Sequence, residues 1–471
     1  MPDLLWIRYC SGMLASHPSG PTRGLFRSAA SSVGHLGLVA LLLGACGDKN
    51  PAAQRIVLVT DTGIDASAPA FAGRLLGQYT IKCKALPGSG GPKPPRSFES
   101  EKAAALASFK MADETCWIEE GISPKPDPLA DLASVRERWN RQIQNSEYVD
   151  GALSWSEYSE IFLRMDTVLR TTNMHGTSTA GLIARDNPNV QLVLLERELG
   201  DKTQVSKSFA CFRQSDLDLT TQVLSDKDVI AAYVARPKSR LERDLDALVA
   251  RYGVELINES FGPLPRQALE ELQKQANCAP VDLQAYFAAT AKLLAKGEWA
   301  KPLAPTLKVR AAGNDAAVLM NNRDSYDCFV GNPLPLTVGS YGLTGARSAF
   351  TNSGNCVDLY APGEWVIAPV LGGWLVPQNG TSFSAPLVVS LLSNDVTAFD
   401  AIASRDRALA RGDAAKRLPR SEFPPKIVYD PKHLAESYSI QAARKPMSID
   451  VQAWYETLQF LDFSTGQHLS P

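Results

Sequence analysis

The sequence predicts an α/β protein built on an open, mostly parallel sheet with helices on both faces. Short, continuous apolar runs alternate with helical patterns along the chain, and a run that is apolar throughout belongs to a strand buried on both faces. The 471 residues, 45% hydrophobic and 21% charged, are enough for a large core or two domains and exclude a disordered or collagenous chain. Polar residues suited to chemistry, Asp61, Ser260 and Asn314, fall at the carboxyl ends of the expected strands, where open sheets place their ligands.

In chain order, the first strand is read at 56–60 (IVLVT) and ends at Asp61. A helix at 177–184 follows a His-Gly pair, and a strand at 190–195 (VQLVLL) comes next. Helix 240–251 rests on Leu241, Leu245, Leu248 and Val249, which recur on one face at helical spacing. Strand 254–258 and helices 266–275 and 283–294 follow, then strands 307–311 (LKVRA) and 336–340 (LTVGS), then helix 383–392. Between 79 and about 171 the alternation breaks down. A Gly/Pro-rich stretch at 87–95 (PGSGGPKPP) leads into an Ala-rich helical pattern and charged, Trp-containing segments, which together read as an insertion. Trp139, Tyr148, Trp155, Tyr158 and Phe162 are its candidates for packing onto the body. The tail is basic from Arg405 to Arg420 and then Pro-rich, which suits a solvated helix face and loop.

Formal charge is -2, from 48 Lys+Arg against 50 Asp+Glu, so nothing points to nucleic acid or to an acidic solvating tail. The apolar run 36–45 (LGLVALLLGA) is too short to span a bilayer. With Arg23 and Arg27 before it and small residues at its end, it has the layout of a secretory signal. Leu43, Gly44, Ala45 and Cys46 resemble a bacterial lipobox, in which the cysteine becomes the lipidated first residue. The competing reading is a short buried helix followed by a structural cysteine. The signal reading divides the chain into a lipoprotein signal (1–45), a catalytic body (46–395) and a C-terminal extension (396–471). It places the protein in a bacterial cell envelope, exported and lipid-anchored, at the outer membrane or on a periplasmic face. Six cysteines remain after Cys46, at 83, 116, 211, 278, 328 and 356. An even number in an exported chain suggests three disulfides, with free thiols as the alternative. No CxxC pair exists, so no zinc site is expected, and no metal ligands are assigned.

Four short motifs carry chemistry: VTDTGID (59–65), MHGTSTAG (174–181), RAAGND (310–315) and NGTSFSAP (379–386). Singly each is weak, because an Asp after a strand is commonly a turn or cap and GTS is a common loop. Acyl transfer needs a nucleophile, a base, a carboxylate to hold the base and donors for an oxyanion. Ser382, His175, Asp61 and Asn314 supply one of each. Beyond Cys46 the histidines are 175, 433 and 468, and only His175 stands beside a turn into a helix.

With INESFG (257–262), LTVGSYG (336–342) and SAFTNSGNCVDLYAPG (348–363) in the same order, the sequence resembles the subtilisin-like serine peptidases, the subtilase family S8, over most of 55–78 and 172–395. The resemblance implies that family's fold and an Asp61–His175–Ser382 triad in a serine endopeptidase acting on polypeptides through an acyl-enzyme. Asn314 would share the oxyanion with the backbone N–H of Ser382, which opens a helix in which Pro386 stands early enough to be tolerated. Ser260, Phe261 and Gly262 match the segment against which an extended peptide is laid, and Ala311, Ala312 and Gly313 the opposite wall of the pocket before the cleaved bond. Core packing is the bland reading of those small residues. The resemblance also implies a Cys328–Cys356 bridge. Pairs 83–116 and 211–278 follow only from nearness in sequence. No cofactor is required, and the sequence does not locate any calcium site; oligomeric state is left open.

The sequence departs from the family at Ser178, Glu259 and Phe383, none of which removes a reacting atom. Asp61 and His175 stand 114 residues apart, more than a minimal member's spacing, and the 14 residues between Cys46 and Asp61 leave no room for the usual propeptide. Two other functions stay open: a catalytically silent binding protein of the same fold, and an esterase using the same triad.

Overall fold

The computed structural model describes residues 54–84, 96–145, 160–161, 164, 174–197, 211–296, 306–328, 335–342, 346–414, 426–428, 461–462 and 467–468, except 126, 128, 186, 264, 327, 396 and 397. Its strands are β1 (Arg55–Asp61), β2 (Leu75–Cys83), β3 (Cys116–Glu120), β4 (Val190–Arg197), β5 (Leu256–Glu259), β6 (Leu307–Ala311), β7 (Leu336–Tyr341), β8 (Leu359–Pro362), β9 (Val366–Pro369), β10 (Leu375–Gln378), β11 (Gly412–Ala414), β12 (Lys426–Val428) and the short antiparallel pair β13 (Leu461–Asp462) and β14 (Gln467–His468). Ten of them form one sheet in the order β11-β12-β8-β7-β6-β5-β1-β4-β2-β3. The run from β12 to β2 is parallel throughout, and only β11 and β3 pair antiparallel, at the two edges. β9 and β10 form a separate hairpin.

Helices cover both faces: α1 (Phe98–Ser108), α2 (Ala133–Asn145), α3 (His175–Ala184), α4 (Gln214–Ser225), α5 (Lys227–Val234), α6 (Arg240–Tyr252), α7 (Arg266–Gln275), α8 (Gln284–Lys296), α9 (Thr381–Ser393) and α10 (Ala401–Arg411). Alternate residues of the central strands explain the layering, because successive side chains point to opposite faces. Val57, Val59, Leu192, Leu194 and Val309 pack with Ala180 and Ile183 of α3 and with Ala385, Val388 and Val389 of α9. Leu58, Val193, Leu195 and Ile257 pack the other way, with Leu248 and Val249 of α6. α6 begins at a capping box, in which Ser239 and Glu242 satisfy each other's backbone N–H, and stops at Gly253, whose φ of 63° suits a residue without Cβ.

All five expected strands and all five expected helices are present, within two residues at each end. At the start of the segment set apart as an insertion, β2 runs on to Cys83, paired with β4 as far as Ile81, and β3 extends the same sheet. α1 packs with α5 through Ala105, Phe109 and Tyr233. α2 lies against the β9–β10 hairpin, where Trp139 meets Trp374 edge-on at 6.4 Å and donates from Nε1 to Leu375 O at 2.8 Å. Tyr148, Trp155, Tyr158 and Phe162 lie outside the described residues. Past 395, Ala401 and Ala408 of α10 enter the main core, and Arg405 and Arg407 pair with Asp358 and Asp395, so this basic stretch is in part bound to the body. Three disulfides are formed, Cys83–Cys116, Cys211–Cys278 and Cys328–Cys356.

Candidate active site

β1 lies between β4 and β5, where the chain order across the sheet reverses, and Asp61 is its last residue. A crevice at such a point is where open α/β sheets bind ligands. Asp61 is buried and its carboxylate is fully engaged. Oδ1 meets His175 Nδ1 at 2.7 Å and accepts from the Thr62 N–H at 2.7 Å, while Oδ2 accepts from Thr179 Oγ1 at 2.9 Å. Thr179 sits one turn along α3 from His175, so one helix supplies both the ring and the hydroxyl that holds its carboxylate.

The start of α3 is fastened to the loop after Asp61. Gly176 N donates to Thr62 O at 2.7 Å, and Thr177 Oγ1 accepts from Asp65 N at 2.7 Å while donating to Gly63 O at 3.1 Å. A Cβ on Gly176 would stand 2.5 Å from Ile64 Cγ1 and 2.7 Å from Thr62 O, so only glycine allows this approach. The same loop is held from below by buried Glu196, which accepts from Ile64 N at 3.0 Å and pairs with Lys125 of the inserted segment at 2.8 Å. Ser178 donates to Pro369 O at 2.9 Å and accepts from Gln378 Nε2 at 3.1 Å, which ties α3 to the hairpin.

Ser382 is the second residue of α9 and is nearly buried; its Oγ donates to Ser260 O at 2.8 Å. The neighbouring Phe383 ring lies 5.6 Å from the His175 ring, which brings the starts of α3 and α9 together. No hydrogen bond joins Ser382 to His175 in this arrangement. α9 begins one residue earlier than Ser382, so Pro386 stands in its second turn; the N–H it lacks is the one that would bond Ser382 O.

Asn314 is oriented by chemistry alone. Its Oδ1 accepts from both Thr381 N and Thr381 Oγ1 at 2.9 Å, and a backbone N–H can only donate. The side-chain NH2 must therefore point away from Thr381. Gly313 N donates to Thr381 Oγ1 at 3.1 Å, so the loop carrying Asn314 and the start of α9 are one hydrogen-bonded unit.

Of the expected pocket walls, Gly262 approaches Gly313 so closely that a Cβ would fall 2.4 Å from Gly313 Cα. Segment 260–262 and loop 312–314 thus face each other beside Ser382. The Ala311 side chain belongs to the main core, and Ala312, also buried, is held by its N–H to Val338 O. Three positioning residues were not singled out from sequence. Thr179 and Thr381 lie inside the quoted motifs, where a hydroxyl four residues after His175 and another one residue before Ser382 were the available signal. Asn352 is fully buried and folds the Asn314 loop: Oδ1 accepts from Asp315 N and Ala317 N at 3.1 and 2.9 Å, and Nδ2 donates to Ala312 O at 2.9 Å.

Cys46 lies outside the described residues. Among the described residues, no helix is long and apolar enough to cross a membrane, and no group of three His, Cys, Asp or Glu has the arrangement of a metal site.

Curated relatives align only over a short stretch. Subtilisin-like protease 4 of Trichophyton equinum is 38% identical over 82 residues, which is 17% of this chain and 19% of that protein. Subtilisin-like protease 1 of Trichophyton verrucosum is 39% identical over the same length and shares. The matched segment is thus about a fifth of either relative. Similar solved structures include a cold-adapted subtilisin-like serine proteinase, at 16% identity and TM-score 0.38 over 81% of this chain and 91% of that one. The PatG macrocyclase domain is another, at 15% identity and TM-score 0.37 over 82% and 91%. The subtilase family (Peptidase_S8) model matches residues 53–402, a range that holds the sheet from β1 to β8 and Asp61, His175, Asn314 and Ser382, and the chain belongs to that family.

Proposed function

We propose that the protein is a serine endopeptidase that cleaves peptide bonds through an acyl-enzyme on Ser382. The observation that carries this reading is the 2.7 Å contact between buried Asp61 and His175, made across 114 residues of sequence at the point where Ser382 heads α9. A carboxylate bound to Nδ1 fixes the imidazole tautomer and leaves Nε2 free of the proton, as a base must be. The mechanism requires a change of Ser382 rotamer that releases Ser260 O and brings Oγ to that nitrogen. Attack on the scissile carbonyl then places negative charge on its oxygen, and the donors available for it are the Ser382 N–H at the helix start and the Asn314 amide. His175 returns the proton to the leaving amine, and water repeats the sequence on the acyl-enzyme. The substrate backbone is proposed to pair with 260–262, which puts no side-chain requirement on it.

Export belongs to the same proposal. Three cystine bridges suit an oxidising compartment, and Cys46 after the 36–45 apolar run is the proposed lipid attachment point, which would hold the enzyme at a bacterial envelope membrane. The test of the function is turnover of fluorogenic tetrapeptide amides beside small esters. Wild type is expected to cleave both and Ser382→Ala neither; ester turnover without any amide turnover would make it an esterase, and turnover of neither would make it a binding protein.

A further inference from the structure

Phe261 lies in the segment beside the candidate nucleophile: Ser260, before it, accepts from Ser382 Oγ at 2.8 Å, and Gly262, after it, abuts Gly313. The guanidinium of Arg197, the last residue of β4, is stacked over the Phe261 ring at 4.7 Å from its centroid. A stack of this kind uses the face of the guanidinium and leaves its edge N–H donors directed outward. Among the described residues, the Arg197 guanidinium makes no hydrogen bond or ion pair. Glu259, on whose carboxyl Arg197 acts, already pairs with Lys308 at 3.0 Å. Burial pushes the Glu259 carboxyl up, but Lys308, Arg310 and Arg197 together hold it below the ordinary range. Lys308, Arg310 and Arg197 thus all act on the Glu259 carboxyl, at the carboxyl end of the sheet.

We propose that Arg197 and Phe261 form a specificity subsite for an acidic side chain, so that the favoured polypeptide carries Asp or Glu at the residue lying over Phe261, on the acyl side of the cleaved bond. The inference rests on the peptidase reading and names its substrate class. A planar guanidinium held in place by a ring presents a two-donor edge that matches a carboxylate. Phe261 supplies the apolar floor for the methylenes of that side chain. Arg197 is here a substrate-contacting specificity residue and takes no part in proton transfer.

The test is a series of fluorogenic peptides, each with Glu or its neutral isostere Gln at one of the four residues before the cleaved bond. One position is expected to show a Glu/Gln ratio in kcat/KM of ~10, the worth of one charge-assisted hydrogen bond. That ratio should shrink with added salt, because a partly exposed ion pair is screened. It should fall to about one in Arg197→Leu, and Arg197→Glu should favour Lys over Glu at the same position. A ratio near one at all four positions in wild type overturns the proposal, as does a Glu preference that survives in Arg197→Leu. Binding of the same peptides to Ser382→Ala, read by fluorescence anisotropy, separates the two readings. If nothing is cleaved but Glu peptides bind better than Gln peptides only when Arg197 is present, the subsite stands and the peptidase reading falls. If neither cleavage nor binding distinguishes them, the subsite falls.

Discussion

Asn314 and Thr381 illustrate how a side chain can be aimed by its neighbours. The amide is fixed because its oxygen is bound twice by Thr381, and the free end of the amide is then the donor. Replacing Asn314 by Ala is expected to lower kcat by ~100- to 1000-fold with little change in KM, because such a donor acts on the oxyanion and not on the ground-state carbonyl. Steady-state kinetics on one amide substrate check this; a rise in KM at constant kcat would mean that Asn314 binds substrate uniformly. Much of the site was legible at this scale, since Asp61, His175, Asn314 and Ser382 each stand in a motif at a strand or helix end. Asn352 was not, although it lies in the quoted SAFTNSGN stretch. Its role depends on contacts 35 to 40 residues away in sequence, which no local pattern encodes.

The elements meet through small residues and caps. α3 can approach the loop after Asp61 only because position 176 has no side chain. Gly176→Ala is expected to displace His175 from Asp61 and to cost ~1–3 kcal/mol, with activity lost more steeply than stability. Chemical denaturation read beside kcat measures both, and an active, fully stable variant would refute the packing argument. The cap of α6 makes a second prediction. Burial raises the Glu242 carboxyl, but the paired bonds from Arg236 and the Ser239 N–H outweigh it and bring it from 4.5 to about 2. A depressed folded-state value means that its stabilisation is present above pH 4.5 and is lost as pH falls through about 2. The stability gap between wild type and Glu242→Gln should therefore close over that interval in urea titrations at stepped pH. Strands with continuous apolar runs and helices with one apolar face were legible from periodicity. β2, β3, β8 and α4 were not: β2 (LLGQYTIKC) mixes Gly, Gln and Lys near the sheet edge, β8 is four residues ending in Pro, and α4 (QSDLDLTTQVLS) is two-thirds polar.

At the scale of the whole molecule, the inserted segment extends the sheet, lies on the hairpin beside Met174 and reaches Glu196 through Lys125, so it is built into the body around His175. Sequence showed that the periodicity broke there but not where the segment would dock, because docking depends on surfaces contributed by 365–378. The proposed anchor makes a prediction at the same scale: Cys46→Ala should release the protein from the membrane fraction and remove palmitate labelling. Unlabelled wild type would contradict the anchor while leaving the active site untouched. The central claim, that Ser382 is a nucleophile activated by His175 and Asp61, is tested most directly by reacting the folded protein with an aryl phosphonate and mapping the adduct by mass spectrometry. The account predicts a single adduct on the peptide containing Ser382, absent from Ser382→Ala and strongly slowed in His175→Ala. An unmodified Ser382, or labelling that persists at the same rate in Ser382→Ala, would contradict it.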